Sequence, residues 1–313
     1  MKKIGHPIVF ALFLTAGTIY AQEPDDAIGT DYTFNTSQSF RVVNLGSEIN
    51  SMYDDYSAVE FSQAGALYFT SRQPGKAGST KQAEKFREQV LKAELTDSIA
   101  SVAAPVKGLG SAKKHTAVAG YDPGKGQLFL YVGKKRGGRL VAYENHAKKG
   151  LRHVYTPSGG VDKKIYRETQ ISLTANGDAY FISNHHAGQG GFDIWYAPRK
   201  GKSRFGKAIN LGPVVNTAND EVSVYVTPDG NTLYFASDGH IGMGGYDLFK
   251  SIKDANGQWS RPENLGEPIN SEYHDVFYYP SSDTLSFLMS SNRPEGFGGM
   301  DIYRVITELA VPD

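Results

Sequence analysis

Residues 237–250, SDGHIGMGGYDLFK, decide the fold, because the same pattern occurs three times in the chain. SNHHAGQGGFDIWY at 183–196 and SNRPEGFGGMDIYR at 291–304 match it position by position. The serines that begin the three copies, Ser183, Ser237 and Ser291, are spaced 54 residues apart. NLGPVVN at 210–216 and NLGEPIN at 264–270 repeat with the same period. A fixed period of this size indicates a repeat architecture.

Two weaker copies precede these three. NLGSEIN at 44–50 leads to GALYFTSR at 65–72, and GLGS at 108–111 leads to GQLFLYVG at 126–133. The fourth copy shows the unit most clearly: EVSVYVT, the turn PDGN, TLYFAS, the glycine loop, YDLFKSI, the turn KDANGQ and WSRPENLG. This order predicts four short antiparallel strands with almost no helix. Five such sheets around an axis predict an all-β, five-bladed β-propeller.

The two ends of the chain are predicted to close this ring. The last unit stops without a WSRPENLG segment, whereas SFRVVNLG at 39–46 precedes the first unit and belongs to none. We therefore expect the N-terminal strand to complete the last blade and to protect its edge. The propeller would occupy residues 39–313. A polar insertion at 73–88 widens the first unit, and STKQAEKFREQ at 79–89 is interpreted as a short surface helix.

Residues 1–21 are typical of a cleaved secretory signal. Lys2 and Lys3 precede an apolar run that ends at Ala21 and is too short for a membrane span. We expect a mature chain from Gln22, exported to the periplasm, with a short lead at 22–38 and no transmembrane segment. The sequence contains no cysteine, which excludes disulfides, thiolate metal sites and the acylated cysteine of a bacterial lipoprotein.

The formal net charge is zero, but the charges are unevenly distributed. Residues 101–167 contain fourteen lysines and arginines against three acidic residues, whereas 210–313 contain five against fifteen. This asymmetry either orients partners or is only a solvated surface. Nucleic acid is not expected as a partner of an exported, neutral chain that lacks a nucleic-acid motif.

The glycine-rich stretch itself has three interpretations. A phosphate cradle leads into a helix and ends in Lys-Ser or Lys-Thr, whereas a strand follows here. A nonapeptide calcium turn repeats about every nine residues, whereas the period here is 54. We therefore interpret the stretch as a strand connection and expect no cofactor and no metal. Its glycines would allow close approach between blades, and Asp193, Asp247 and Asp301 would accept backbone N–H bonds.

The pattern PDG-x-x-LYF-x-SD, followed by GG-x-D-[IL]-[FWY] and W-x-x-P-x-NLG-x-x-IN, resembles the WD-like β-propeller repeat. That repeat is found in TolB and in envelope proteins that carry an OmpA-type peptidoglycan-binding domain. The NLG…IN…GGxDIY version is similar to that of Bacteroidetes envelope proteins, some of them linked to type IX secretion. The resemblance covers nearly all of the mature chain and implies a periplasmic propeller that binds other proteins. We recognise neither an OmpA-type domain nor a tetratricopeptide array, so it does not imply a direct anchor to peptidoglycan.

One polar residue stands near the start of each predicted innermost strand. These residues are Asp55, His115, Glu168, Glu221 and Asp275. On a propeller they would ring one mouth of the axial channel, where two or three converging carboxylates could hydrolyse a glycoside. The alternative, which we favour, is that acids recurring at one repeat position stabilise one recurring turn. A catalytic set would more often come from unequal positions.

Basic and histidine residues are predicted to share one face of the ring. GKKRGGR at 133–139 replaces the acidic glycine loop in unit two, either as a site for an anionic partner or as an ordinary exposed turn. His185, His186 and His240 could meet as metal ligands, but exposed loop histidines are the interpretation we favour, since unit five has Arg293 there. The predicted partner surface consists of Lys134, Lys135, Arg136, Arg139, His185, His240 and Arg293.

Most of the 35 tyrosines and phenylalanines fall on the predicted strands. Those expected to pack between blades are Tyr68, Phe69, Phe129, Tyr180, Phe181, Tyr234, Phe235 and Phe287. Trp195 and Trp259 are also interpreted as strand residues that pack. Phe192, Tyr246 and Phe297 recur in loops, which is where a stacking platform for sugars would need aromatic rings.

The sequence thus predicts a non-catalytic periplasmic propeller that acts as an interaction scaffold for envelope or outer-membrane proteins. The alternative is a carbohydrate-binding or glycan-hydrolysing propeller that uses the carboxylates at the channel mouth. A third hypothesis is a TolB-like partner of a peptidoglycan-bound lipoprotein.

Overall fold

The computed structural model describes residues 38–61, 65–73, 87–95, 101–109, 114–134, 137–146, 150–161, 166–283 and 285–309. The predicted signal segment lies outside these residues, as do residues 22–37 of the lead and 79–86 of the predicted surface helix. Residues 87–89 of that prediction are not helical, and Gln89 lies in a strand. Within the described ranges the chain forms strands and turns. These ranges contain no helix of the length and apolar character needed to cross a membrane.

Five four-stranded antiparallel sheets form the blades of a β-propeller, which confirms the predicted fold class. Blade 1 contains β2 (Asp55–Phe61), β3 (Ala66–Ser71), β4 (Gln89–Glu94) and β5 (Ala104–Pro105). Blade 2 contains β6 (His115–Asp122), β7 (Gln127–Lys134), β8 (Gly137–His146) and β9 (Gly150–Tyr155). Blade 3 contains β11 (Glu168–Leu173), β12 (Ala179–Ser183), β13 (Asp193–Ala197) and β15 (Ile209–Asn210).

The last two blades follow the same order. Blade 4 contains β16 (Glu221–Val226), β17 (Thr232–Ser237), β18 (Asp247–Ile252) and β19 (Glu263–Asn264). Blade 5 contains β20 (Asp275–Pro280), β21 (Ser286–Ser291), β22 (Asp301–Leu309) and β1 (Gln38–Asn44). A small parallel pair, β10 (Ser158–Gly159) with β14 (Arg204–Phe205), joins the end of blade 2 to blade 3.

The ring is closed by the N-terminal strand, as predicted. β1 pairs antiparallel with β22 over seven residues, from Gln38 opposite Leu309 to Asn44 opposite Tyr303. The Asn44 side chain donates to Asp301 at 2.9 Å and accepts from the backbone N–H of Gly46 at 2.8 Å. The first residues of the ring are therefore hydrogen-bonded to the last strand, and no edge of β22 is left open along this length.

The innermost strands are bulged and bond to one another around the axis. Each of them shifts register once, for example between Tyr56 and Val59 in β2. The Gln170 side chain accepts from Val224 N at 3.0 Å and donates to Ser57 Oγ at 3.2 Å. Ser223 Oγ accepts from Phe277 N at 3.2 Å. Hydrogen bonds thus join adjacent blades 3, 4 and 5, and one crosses the axis from blade 3 to blade 1. The cavity that remains at the axis measures about 20 Å³.

The core lies between the blades, because each second strand is covered on both faces. Seven of the eight predicted interblade aromatic residues are buried: Tyr68, Phe69, Phe129, Tyr180, Phe181, Phe235 and Phe287. The eighth, Tyr234, is partly exposed and stacks on Tyr278 of the next blade with ring centres 4.0 Å apart. Trp195 is buried as expected. Trp259 differs, because it forms an isolated bridge with Lys253 outside the named strands and is only partly buried.

Candidate functional site

The aspartate that begins the third strand of blades 3, 4 and 5 fixes the loop before it. Asp247 accepts from Met243 N at 2.5 Å and Gly244 N at 3.3 Å. Asp193 accepts from Gln189 N and Gly190 N, and Asp301 accepts from Phe297 N. All three side chains are buried, and burial raises the pKa of Asp193 and Asp247. The predicted role of these aspartates in fixing the turn is therefore confirmed.

The paired glycines of these loops let each loop rest on the next blade. A Cβ on Gly190 would lie 1.9 Å from Asn219 O, and a Cβ on Gly244 would lie 2.4 Å from Ser271 O. Gly298 is in the same relation to Ser51 O at the start of blade 1. The predicted close approach between blades is confirmed, because no side chain fits at these positions. We call the side of the ring that carries these loops the loop face.

The five polar residues predicted for the channel mouth are the first residues of β2, β6, β11, β16 and β20. The four acids among them, Asp55, Glu168, Glu221 and Asp275, are at most 1% exposed. They are therefore enclosed within the blades rather than open to solvent, and none of the five lines the axial cavity. A ligand-binding role for them stays a prediction.

Three of these acids accept hydrogen bonds from the turn that precedes their own strand. Ser51 donates to Asp55 through both its backbone N–H and its hydroxyl, each at 2.6 Å. Ser271 donates to Asp275 in the same way at 2.7 Å. Glu221 accepts from Thr217 Oγ1 at 2.9 Å and from Ser237 Oγ at 2.8 Å. Burial raises the pKa of Glu221 to about 7 and also raises that of Asp55. This geometry is that of a recurring turn stabilised by an acid.

Blade 2 places a different pair at the same position. His115 Nδ1 contacts Glu88 Oε2, and Glu88 is buried although it comes from the end of the blade 1 insertion. Tyr56 OH donates to the other oxygen of Glu88 at 3.3 Å. The carboxylate that the second unit lacks in its own sequence is thus supplied by the preceding blade.

The histidines and the arginine predicted for a partner surface mostly cover aromatic rings of their own blades. His240 lies 5.3 Å from the ring of Phe249, and its Nε2 is 2.8 Å from Val215 O. Arg293 lies 5.7 Å from the ring of Tyr303 and bonds Asp275 at 2.9 Å. His185 packs on Trp195 with ring centres 4.8 Å apart. Their part in partner binding stays a prediction.

Two further predictions concern the remaining histidine and the basic loop. His186 contacts Tyr166 and stacks on His185 with ring centres 4.8 Å apart. Across the residues that the structure describes, no group of three or more histidine or acidic side chains is placed to hold a metal ion. Lys134 ends β7 and Arg139 lies near the start of β8. Lys135 and Arg136 fall outside the described residues, and a role of the basic loop in partner binding stays a prediction.

Large apolar side chains are exposed on the loop face where blades 4, 5 and 1 follow one another. Ile241 is 84% exposed, Phe297 is 51% exposed and Met52 is 73% exposed, with Met243 in the same loop as Ile241. Met243 and Phe297 occupy equivalent repeat positions. These side chains lie in successive loops and turns on one side of the ring, and we call this group the apolar sector. Only Phe297 was singled out from the sequence, since exposure of the others depends on how the loops fold.

No protein-family model matches the sequence, and no curated protein matches it either. Solved structures match the fold. The protein BT0996, solved as an RGII complex, is 9% identical with a TM-score of 0.57, and the match covers 88% of this sequence and 93% of that protein. A glycoside hydrolase is also 9% identical, with a TM-score of 0.56 and the same coverages. TolB from Acinetobacter baumannii is 12% identical with a TM-score of 0.42, and the match covers 88% of this sequence and 65% of TolB. At 9% identity, the two matches with TM-scores of 0.57 and 0.56 show a shared fold alone.

Proposed function

We propose that this propeller is a non-catalytic interaction module of the cell envelope, exported to the periplasm, which binds a protein partner through its loop face. The observation that carries the proposal is the apolar sector formed by Met52, Ile241, Met243 and Phe297. Exposed apolar side chains gathered on one surface, as opposed to scattered singly, are typical of interaction sites. Export is supported by the signal-like segment at 1–21.

The charges around the apolar sector indicate the kind of partner. Asp238, Glu272 and Glu295 are exposed in the same loops and in the turn between them. They agree with the acidic character of residues 210–313 seen in the sequence. An apolar centre with an acidic rim fits a partner that presents an apolar projection surrounded by lysine or arginine. Such a rim would raise the association rate and make it sensitive to salt.

The structure of the axis argues against the alternative that the channel mouth hydrolyses a glycan. An enzyme site for a glycan needs open carboxylates and a cleft of several hundred Å³. The axial cavity of about 20 Å³ is close to the size of one water molecule. Asp55, Glu221 and Asp275 already accept hydrogen bonds from their own turns. Their replacement by alanine would therefore disturb folding before it tested hydrolysis.

Site-specific photo-crosslinking in the producing organism tests the proposal. A photoreactive phenylalanine analogue is placed at Phe297, and in a matched control at Leu285, which is 50% exposed on the opposite side of the ring. We expect one discrete crosslinked species from position 297 and none from position 285. The species should weaken when Ile241 is also changed to Glu. Equal crosslinking at the two positions, or none at 297, would contradict the proposal, as would recovery of the mature chain in the cytoplasm.

A further inference from the structure

A groove opens between blades 3 and 4 on the side of the ring opposite the loop face. It has a volume of about 420 Å³ and is formed by the hairpin turns at 174–178 and 228–231 and by the segment 253–259. Its polar and aromatic lining includes Asp178, Tyr196, Asp229, Asn231, Lys253 and Trp259. Ile209, which is 55% exposed, lies at its apolar edge.

The groove is where the repeat departs from its own pattern. One period further along, the positions of Asp178, Tyr196 and Asn231 hold Thr232, Lys250 and Leu285. At the corresponding junction of blades 4 and 5, Tyr234 stacks on Tyr278 with ring centres 4.0 Å apart. The position equivalent to Tyr278 is Val224 in blade 4, whose smaller side chain provides no second ring. Polar and aromatic residues that the repeat does not require have therefore accumulated at one cleft.

The polar groups of the groove are held in place by one another. Tyr196 OH donates to Asp178 Oδ2 at 2.9 Å, and Arg199 N donates to the other Asp178 oxygen at 2.7 Å. Lys253 Nζ donates to Tyr180 OH at 3.0 Å and lies 4.6 Å from the centre of the Trp259 ring. Burial lowers the pKa of Lys253. Fixed side chains lose little conformational entropy when a ligand binds.

We propose that this groove binds an uncharged saccharide. The rings of Trp259 and Tyr196 offer surfaces for the C–H faces of a sugar, and Asp178, Asn231 and Lys253 provide acceptors and donors for its hydroxyls. Two carboxylates, Asp178 and Asp229, face one ammonium, which disfavours a glycan rich in carboxylates. The inference goes beyond the proposed function and is independent of it, because the groove and the apolar sector are on opposite sides of the ring.

Tryptophan fluorescence gives a direct readout, because the chain has two tryptophans and Trp195 is buried in the core. In a Trp195→Phe variant, Trp259 is the single reporter. It is titrated with the linear hexasaccharides of β-1,4-glucose, β-1,3-glucose, β-1,4-xylose and β-1,4-mannose, and with hexagalacturonate as the acidic comparator. We expect a saturable change with at least one neutral hexasaccharide and a weaker response to hexagalacturonate.

Calorimetry on otherwise unmodified protein assigns the binding to the groove. Trp259→Ala and Lys253→Met should each lower the affinity for the neutral hexasaccharide by about tenfold or more. Phe297→Ala on the loop face should leave that affinity unchanged. Melting curves of all variants show whether they are folded, and Tyr196→Phe serves as a second, milder probe. Absence of saturation by every neutral hexasaccharide up to about 10 mM overturns the proposal. So does binding that survives both groove substitutions, or tighter binding of hexagalacturonate. Absence of crosslinking at Phe297 would contradict the proposed protein interaction but would not contradict saccharide binding in the groove.

Discussion

Glu221 gives the sharpest prediction, because its burial should make the stability of the fold depend on pH. The carboxyl is fully buried at the start of β16, and burial raises its pKa from 4.5 to about 7. An acid whose pKa is higher in the folded than in the unfolded chain stabilises the fold when protonated. That contribution is complete below the unfolded value and is lost as pH rises through the folded value. At 1.36 kcal/mol per pKa unit, the whole difference corresponds to about 3 kcal/mol.

Urea unfolding at about pH 5 and about pH 8 measures this contribution. We expect Glu221→Gln to reduce the difference in the free energy of unfolding between the two pH values by about 2–3 kcal/mol relative to the unmodified chain. Burial raises the pKa of Asp55, Asp193 and Asp247 as well, so part of the pH dependence should remain. Glu263→Gln, at an exposed carboxyl in the same blade, is the control and should leave the difference unchanged. If Glu221→Gln keeps the full pH dependence, the Glu221 carboxyl does not have a raised pKa in the folded chain.

Three further predictions concern the loops and the closure of the ring. Asp247→Ala leaves the N–H groups of the glycine loop without their acceptor and should lower the free energy of unfolding in urea by about 2–4 kcal/mol. A variant as stable as the unmodified chain would contradict the role of Asp247 in fixing the loop. A chain without residues 38–44 exposes the edge of β22 and should aggregate or unfold at a lower urea concentration. A synthetic peptide of these residues, added separately, should restore the ring, and size-exclusion chromatography follows both the aggregation and the rescue. Glu60 accepts hydrogen bonds from Arg304 and Ser281 across the junction of blades 1 and 5. Glu60→Ala should therefore lower the free energy of unfolding in urea by about 2–3 kcal/mol, whereas Glu94→Ala, at an exposed ion pair, should lower it by less than about 1 kcal/mol. Similar losses for the two variants would refute the bridging role of Glu60.

The fold could be predicted from the sequence because the same strand pattern occurs five times. Ser183, Ser237 and Ser291 end the second strands, and Asp193, Asp247 and Asp301 begin the third strands, at the spacing that the sequence shows. The closing strand could be predicted because SFRVVNLG at 39–46 belongs to no unit, whereas the last unit lacks its fourth strand. The exposure of the loop side chains could not be predicted. Met243 is four residues before Asp247, which begins β18, and only the packed backbone decides that the aspartate is enclosed and the methionine exposed.

The placement of the recurring acids shows why a repeat is a poor guide to a site. Asp55, Glu221 and Asp275 occupy equivalent repeat positions, and each accepts hydrogen bonds from the turn before its own strand. A side chain that recurs to serve this turn is buried at the start of its strand and does not face solvent. The residues that one blade has and its neighbours lack are not required by the repeat, for example Tyr196 where blade 4 has Lys250. In a propeller of this kind the period specifies the scaffold, and the departures from the period specify where a ligand can bind.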